Sequence, residues 1–162
     1  SDTDLDWIGI KATKLNAELI RTIFGKDAHK EVIDNPKDKI KTDKNIIIGA
    51  GHLPGYSTDM DAILLAENIK ADTVINLTNI DYVYDKDPKK NKDAKPLKQI
   101  AWKKYIEIIG EEWIPGRNTP FDPIASKQAM KLGKKVIIIN GNNLKNIKNF
   151  LEGKEFIGTI IE

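Results

Sequence analysis

The chain has no cysteine among its 162 residues. That excludes disulfides, thiolate metal sites and a cysteine nucleophile, and it fits a cytoplasmic location. No apolar run approaches the ~18 residues that span a bilayer, and the amino terminus lacks the apolar core of a signal peptide. Neither sign of charge dominates, since 26 basic residues face 24 acidic ones for a formal charge of +2. No global field therefore draws the chain to nucleic acid or membrane. The aromatics are scattered rather than interleaved with basic residues, so a nucleic-acid module fits poorly. Internal repeats, low-complexity tracts and long linkers are also missing, and residues 1–162 read as a single domain.

What is present is an alternation of helical and extended patterns. Ile8, Ala12, Leu15, Leu19 and Ile23 recur at helical spacing, with Gly25 as the stop. His29 to Ile33 reads as a short strand, broken by Asn35-Pro36. Asn45 to Ala50 and Thr73 to Leu77 read as buried strands, with a helix marked by Ala62, Leu65, Ala66 and Ile69 between them. Asp85 to Lys98 is a polar loop whose lysines are balanced by Asp85, Asp87 and Asp93, which predicts a solvated surface. A helix over Trp102 to Ile109 ends at Gly110, and Pro115-Gly116 opens another loop. Asp122-Pro123 places an N-cap and a first-turn proline ahead of a helix that Gly133 ends. Val136 to Ile139 is a strand, Leu144 to Leu151 a helix, and Phe156 to Ile161 a final strand. This order predicts an α/β fold of three layers, αβα, with a mainly parallel central sheet.

Two stretches carry chemistry. Thr78-Asn79-Ile80-Asp81-Tyr82-Val83-Tyr84-Asp85-Lys86-Asp87-Pro88 follows an apolar strand, and ligands of open α/β sheets sit beyond the carboxyl ends of strands. Asp81 there either binds metal-bound water or caps the strand end. Gly49 to Asp59 joins a strand to a helix through three glycines and a proline, with Ser57 and Thr58 at the helix start. Free N–H groups and the helix dipole favour an anion at such a place. Thr58 and Asp61 also fit a T-x-x-D capping signature, so a loop that only caps the helix is the alternative. No Gly-Lys-Ser/Thr follows, so it is not a Walker P-loop.

These stretches resemble the amino-acid kinase family, and within it the archaeal-type UMP kinases. Gly51 to Asp59 with Ala62 and Leu64 to Glu67 is similar to the UMP-binding loop and helix. Asp6-Trp7-Ile8-Gly9-Ile10, with Ala12-Thr13 and Asn16-Ala17, is similar to the helix whose leading aspartate holds the UMP ribose. Thr78 to Pro88 resembles the ATP-binding turn, and Asp122-Pro123-Ile124-Ala125 with Lys127 resembles the Asp-Pro-Leu-Ala-Ala-Lys helix. The four blocks appear in family order along nearly the whole chain.

The resemblance implies a set of roles. Asp6 would accept hydrogen bonds from the ribose hydroxyls, a role compatible with Asp6 as a helix N-cap. His52, Leu53, Pro54, Gly55, Tyr56, Ser57 and Thr58 would wrap the uracil and the acceptor phosphate. Thr78, Tyr84 and Asp87 would hold the adenosine end of ATP. Asp59 and Asp122 would organise the phosphate-transfer site by orienting lysines or hydrated metal, and Lys127 reaches a phosphate or is surface lysine. No dedicated metal site is expected, and Mg²⁺ would arrive with ATP.

Three positions depart from the family pattern: His52 for threonine, Tyr82 for glycine and Ala50 for the first of two glycines. Family members also carry about a third more chain ahead of the point matching Asp6, on the usual domain scale. It holds a lysine-glycine strand, a triple-glycine loop and central strands of the sheet. The chain starts at Ser1, either a cloning scar or the start of a piece of something longer, and would then show an exposed sheet edge and half an acceptor site. The resemblance thus implies transfer of the ATP γ-phosphate to UMP once an N-terminal part or partner chain is supplied, in a homo-oligomer that the family makes hexameric. The alternatives are a non-catalytic nucleotide-binding or storage module, and another phosphotransferase of the superfamily.

Overall fold

Ser1 caps the first helix, α1 (Asp2–Phe24): its side chain accepts the Asp4 N–H while the Asp4 carboxylate bonds back to the Ser1 nitrogen. The helix therefore starts ahead of Ile8, and Gly25, at φ 52°, ends it. In the computed structural model, residues 1–112 and 119–162 are described. The loop expected at Pro115-Gly116 lies outside them. The backbone divides into two compact units, residues 1–71 and 72–162, and each is described by itself.

In the first unit α1 is followed by a 3₁₀ turn (Gly25–Asp27), an extended stretch and α2 (Thr58–Asn68). Residues 28–33 and 46–50 run parallel through two isolated bridges, Ala28 to Ile46 and Ile33 to Gly49. The expected strands over His29 to Ile33 and Asn45 to Ala50 are thus reduced to a bridged pair. Ile46, Ile47 and Ile48 are half-buried rather than buried. The apolar stripe of α1 also differs from expectation. Ile8, Leu15, Leu19 and Ile23 are each more than half exposed, whereas Ile10 and Ala17 are the buried residues. The helix packs through the face where its backbone comes close to the glycine loop: a Cβ on Gly51 would stand 2.9 Å from Thr13 Oγ1 and 3.6 Å from the Ile10 Cα.

The second unit holds a four-stranded sheet in the order β1 (Thr73–Thr78), β5 (Lys135–Asn140), β6 (Thr159–Ile161), β4 (Gln99–Ile100). The β1–β5 and β4–β6 pairings are parallel and β5–β6 is antiparallel, so the sheet is mainly parallel. Its centre is the run Val136 to Ile139, at most 1% exposed, as suits a strand covered on both faces. The strand expected over Thr73 to Leu77 forms, but it is not buried. Among the described residues it pairs only with β5, and it alternates exposed and half-buried residues, with Leu77 56% exposed. The final strand begins only at Thr159, and Gly158 ahead of it has no room for a Cβ beside Phe156 and the Ile138 carbonyl.

Helices α3 (Trp102–Ile109), α4 (Pro123–Lys131) and α5 (Leu144–Leu151) occupy the spans expected of them, α4 with Asp122 as its cap. Trp102, Tyr105, Phe121, Ala125 and Ala129 make the buried contact between α3 and α4, with Tyr105 Oη accepting the Phe121 N–H. A two-residue antiparallel pair, β2 (Val83–Tyr84) and β3 (Pro96–Leu97), shortens the loop expected over Asp85 to Lys98, because β3 falls inside that span. Buried Thr159 anchors it, since its Oγ1 accepts the Val83 N–H at 2.9 Å and donates to the Leu97 carbonyl. Among the described residues no helix is long and apolar enough to cross a membrane.

Gly158 is a sharp test of this packing. A Cβ there would lie 2.5 Å from Phe156 Cε2 and 2.7 Å from the Ile138 oxygen, and the backbone oxygen cannot give way. Gly158→Ala should therefore lower stability by about 1–3 kcal/mol. Gly9, inside α1 with open space at its Cβ, should behave oppositely. Gly9→Ala should raise stability by about 0.5–1 kcal/mol. Urea denaturation midpoints read both.

Candidate functional site

The sequence Leu53-Pro54-Gly55-Tyr56 dictates a turn with proline at its second position and a glycine able to take positive φ at its third. Gly55 has φ 80°, and the Tyr56 N–H donates to the Leu53 carbonyl at 3.2 Å, as a type II turn requires. This turn hangs between Gly51 and α2 and is held from three sides. The Gly51 N–H donates to Thr13 Oγ1 at 2.9 Å, the His52 N–H to Asp61 Oδ2 at 3.0 Å, and the Gly55 N–H to Asp6 Oδ2 at 3.1 Å. Thr13 in turn donates to the Ile10 carbonyl, which aims its lone pairs at the loop.

Asp6 is therefore not the N-cap of α1. It lies within the helix, and its exposed carboxylate faces the glycine loop. The cap of α2 is also one residue earlier than the T-x-x-D signature suggested. Ser57 is the N-cap, accepting the Met60 N–H, while Asp61 turns inward to His52. Thr58 stands exposed at the first helical position and Asp59 half-buried at the second.

His52 Nδ1 lies 2.9 Å from the Asp34 carbonyl oxygen. A carbonyl can only accept, so Nδ1 carries a proton and Nε2 holds the lone pair of the neutral ring. The ring meets Tyr56 edge-on, with centroids 6.0 Å apart. Leu53 and Tyr56 are exposed and Pro54 is half-buried.

In the second unit a cavity of about 800 Å³ opens at the carboxyl end of β1. Thr78, Tyr84 and Asp87 all line it, so the three residues matched to ATP share one space. Tyr82 is also on its wall, as are Lys86, Lys89 and Lys90. Lys89 and Lys90 are exposed, as a solvated surface requires, and Lys86 is half-buried. Lys86 pairs with Asp93 at 2.7 Å, and the Asp87-Pro88 turn carries the other two to the rim. Asp87 Oδ1 accepts the Lys89 N–H at 2.9 Å, which sets that turn. Asp81 takes the Asn140 side-chain N–H at 2.9 Å, so the turn is tied to the end of β5. That bond suits the strand-end reading of Asp81 and leaves its second oxygen for other donors.

Asp122 is the N-cap of α4, 8% exposed, accepting the Ala125 N–H at 2.7 Å. Asp59 and Asp122 belong to different units. Lys127 is ion-paired with Glu111 at 3.0 Å on the surface. Among the described residues no group of three or more His, Cys, Asp or Glu stands ready to hold a metal ion.

Sequence reasoning passed over Asp61 as anything but a cap. Its signal was available: Asp61 falls four residues before Leu65 on the inward side of α2, where an ionisable residue is unexpected. It is 7% exposed. Burial pushes its carboxyl above the ordinary value near 3.8, against the opposing pull of the His52 N–H. A carboxyl that titrates higher folded than unfolded supports the folded state while protonated in both. That support is lost as pH rises from the unfolded value through the raised one. Asp61→Asn removes the titration, so its stability relative to the parent should increase as pH goes from about 4 to about 7. Urea midpoints at several pH values measure the gap, and a flat gap would contradict the expectation.

A family model described as "Amino acid kinase family" matches residues 4–140. A uridylate kinase of Methanobrevibacter smithii is 36% identical over 162 residues, covering 98% of this chain and 71% of that protein. A uridylate kinase of Methanococcus aeolicus is 41% identical over 140 residues, covering 84% of this chain and 62% of that one. The crystal structure of a uridylate kinase from Archaeoglobus fulgidus superposes with a TM-score of 0.83 at 34% identity, over all of this chain and 73% of that one. The chain thus spans about two-thirds to three-quarters of the length of these relatives, and slightly less than two-thirds of the Methanococcus protein. With its α/β fold, its mainly parallel sheet and its ordered loops, the chain belongs to the amino acid kinase family, among the uridylate kinases.

Proposed function

We propose that this chain carries the substrate-binding groups of a kinase that transfers the ATP γ-phosphate to UMP, giving UDP. The observation that carries the reading is the bond from the Gly55 N–H to Asp6, which joins two motifs 49 positions apart. One carboxylate oxygen holds the loop, and the carboxylate retains lone pairs for the ribose hydroxyls. The turn from Leu53 to Tyr56 then faces the uracil, with Ser57 and Thr58 at the α2 amino terminus for the acceptor phosphate. ATP occupies the cavity beside Thr78, Tyr84 and Asp87, which at about 800 Å³ is within the usual range for a nucleotide-sized ligand.

Phosphoryl transfer asks a protein chiefly to position its substrates and to stabilise spread negative charge. Asp59 and Asp122 fit that task as groups that orient cations, not as bases. Mg²⁺ enters with ATP as part of the substrate, bridging phosphate oxygens. Asp87 on the cavity wall and Asp81, held by Asn140, offer the oxygen donors that such an ion or its waters take. Supply of an N-terminal part or partner chain, and assembly into a homo-oligomer, belong to the same proposal. A second reading is favoured by Tyr82 on the cavity wall, which takes up space where the family has glycine: a module that binds nucleotide without transferring phosphate.

A coupled ADP-release assay with UMP, CMP and other phosphoacceptors, combined with calorimetry of UMP and ATP, separates the readings. The first expects UMP-dependent ADP release, at the least when an N-terminal partner is added. ATP binding without turnover under every such condition selects the second. Asp6→Asn should weaken UMP about tenfold through loss of a charge-assisted bond, with ATP binding unchanged. An equal loss for both nucleotides would contradict the assignment of Asp6.

A further inference from the structure

Among the described residues, Asp61 Oδ1 is the buried side-chain atom without a hydrogen-bond partner. A buried carboxylate with unfilled acceptor capacity is costly. It lines a small, largely apolar cavity of about 220 Å³ with Ile33, Pro36, Ala62 and Leu65 beside Thr13 and Thr58, and neither hydroxyl bonds Oδ1. An apolar residue at this position would avoid the cost and pack against the same groups. The one thing an aspartate supplies here that an apolar residue cannot is the acceptor for the His52 N–H.

That bond has a particular place in the loop. Three side chains take the N–H groups of Gly51, His52 and Gly55, and two of them, Thr13 and Asp6, come from α1. Asp61 alone comes from α2, whose cap and first turn hold Ser57, Thr58 and Asp59. It is therefore the link between the start of the loop and the helix end that follows it. We propose that Asp61 is a positioning residue of the acceptor site, fixing the His52 backbone against α2 so that the Leu53–Tyr56 turn and Ser57–Thr58 are preset for the nucleotide. The identity of that nucleotide rests on the UMP reading; the bracing of the loop does not.

Two variants of the chain test it, Asp61→Val and Asp61→Asn. Hydrogen–deuterium exchange over residues 51–56 reports the loop, calorimetry with UMP reports the site, and urea midpoints report the fold. In Asp61→Val, loop exchange should rise and UMP affinity fall, each about tenfold, while Asp61→Asn stays within about twofold of the parent. The urea midpoint of Asp61→Val should not drop with them, which a merely structural role would require. Unchanged loop exchange in Asp61→Val overturns the proposal, as does failure of Asp61→Asn to keep the loop protected.

An NMR measurement covers the case in which Asp61→Val does not fold. The His52 amide proton shift should follow a carboxyl titration in the parent and lose it in Asp61→Asn. Its absence in the parent overturns the proposal. Should the parent not bind UMP, the nucleotide reading fails, and loop exchange with the amide titration still decides the role of Asp61.

Discussion

The capture of the glycine-loop N–H groups by side chains is the constraint on which the first unit depends. A loop at Gly51 to Gly55 has no ladder to satisfy its donors; Gly51 is buried and His52 half-buried, so their N–H groups must find acceptors, and the exposed Gly55 N–H takes one as well. Thr13, Asp61 and Asp6 supply them, at 2.9, 3.0 and 3.1 Å. To do so, α1 must come close enough to leave no room for a Cβ on Gly51. The position of α1, the turn at Leu53 to Tyr56 and the start of α2 are therefore set together. The side chains that satisfy the loop are also those, or the neighbours of those, that face a nucleotide in the proposed site.

In the second unit the same role falls to polar groups at the rim of an apolar strand. Val136 to Ile139 give the sheet its buried centre, and that centre specifies nothing about the loops by itself. Thr159 fixes the β2–β3 pair, Asn140 fixes Asp81, and Asn76 donates to the Pro120 carbonyl at 2.7 Å. These bonds hold the walls of the cavity beyond β1. A hydrophobic core places the strand ends, and a few hydrogen bonds with fixed direction aim the segments that leave them.

The parts of the fold legible in the sequence were those with strictly local causes. Helix α4 follows from Asp122 and Pro123 at its start, and α3 from its local pattern ended by Gly110. The pairs that failed were questions of cover. The apolar residues of β1 and the stripe of α1 read as core, yet Leu77 and Leu15 are exposed, because hydrophobicity states a preference for burial and not the presence of a neighbour. Strands β2 and β3, two residues each, are too short to show a period. For the site, the glycine, proline and hydroxyl residues announced a ligand loop, and the Thr78 to Pro88 stretch a crevice. Asp61 looked like a cap because its spacing from Thr58 satisfied a local rule.

By itself the sequence determined the helices and the central strand, the turn at Pro54-Gly55 and the set of polar residues available to a nucleotide. Each of these is written in backbone preference or in residue chemistry within a few positions. Tertiary structure alone decided which partner each polar group takes. It turned Asp6 from a possible cap into the acceptor for Gly55, sent Asp61 inward to His52, and brought Lys89 and Lys90 to the cavity rim. The reason is distance: a hydrogen bond reaches about 3 Å, so its partner depends on which distant segment the packing brings alongside.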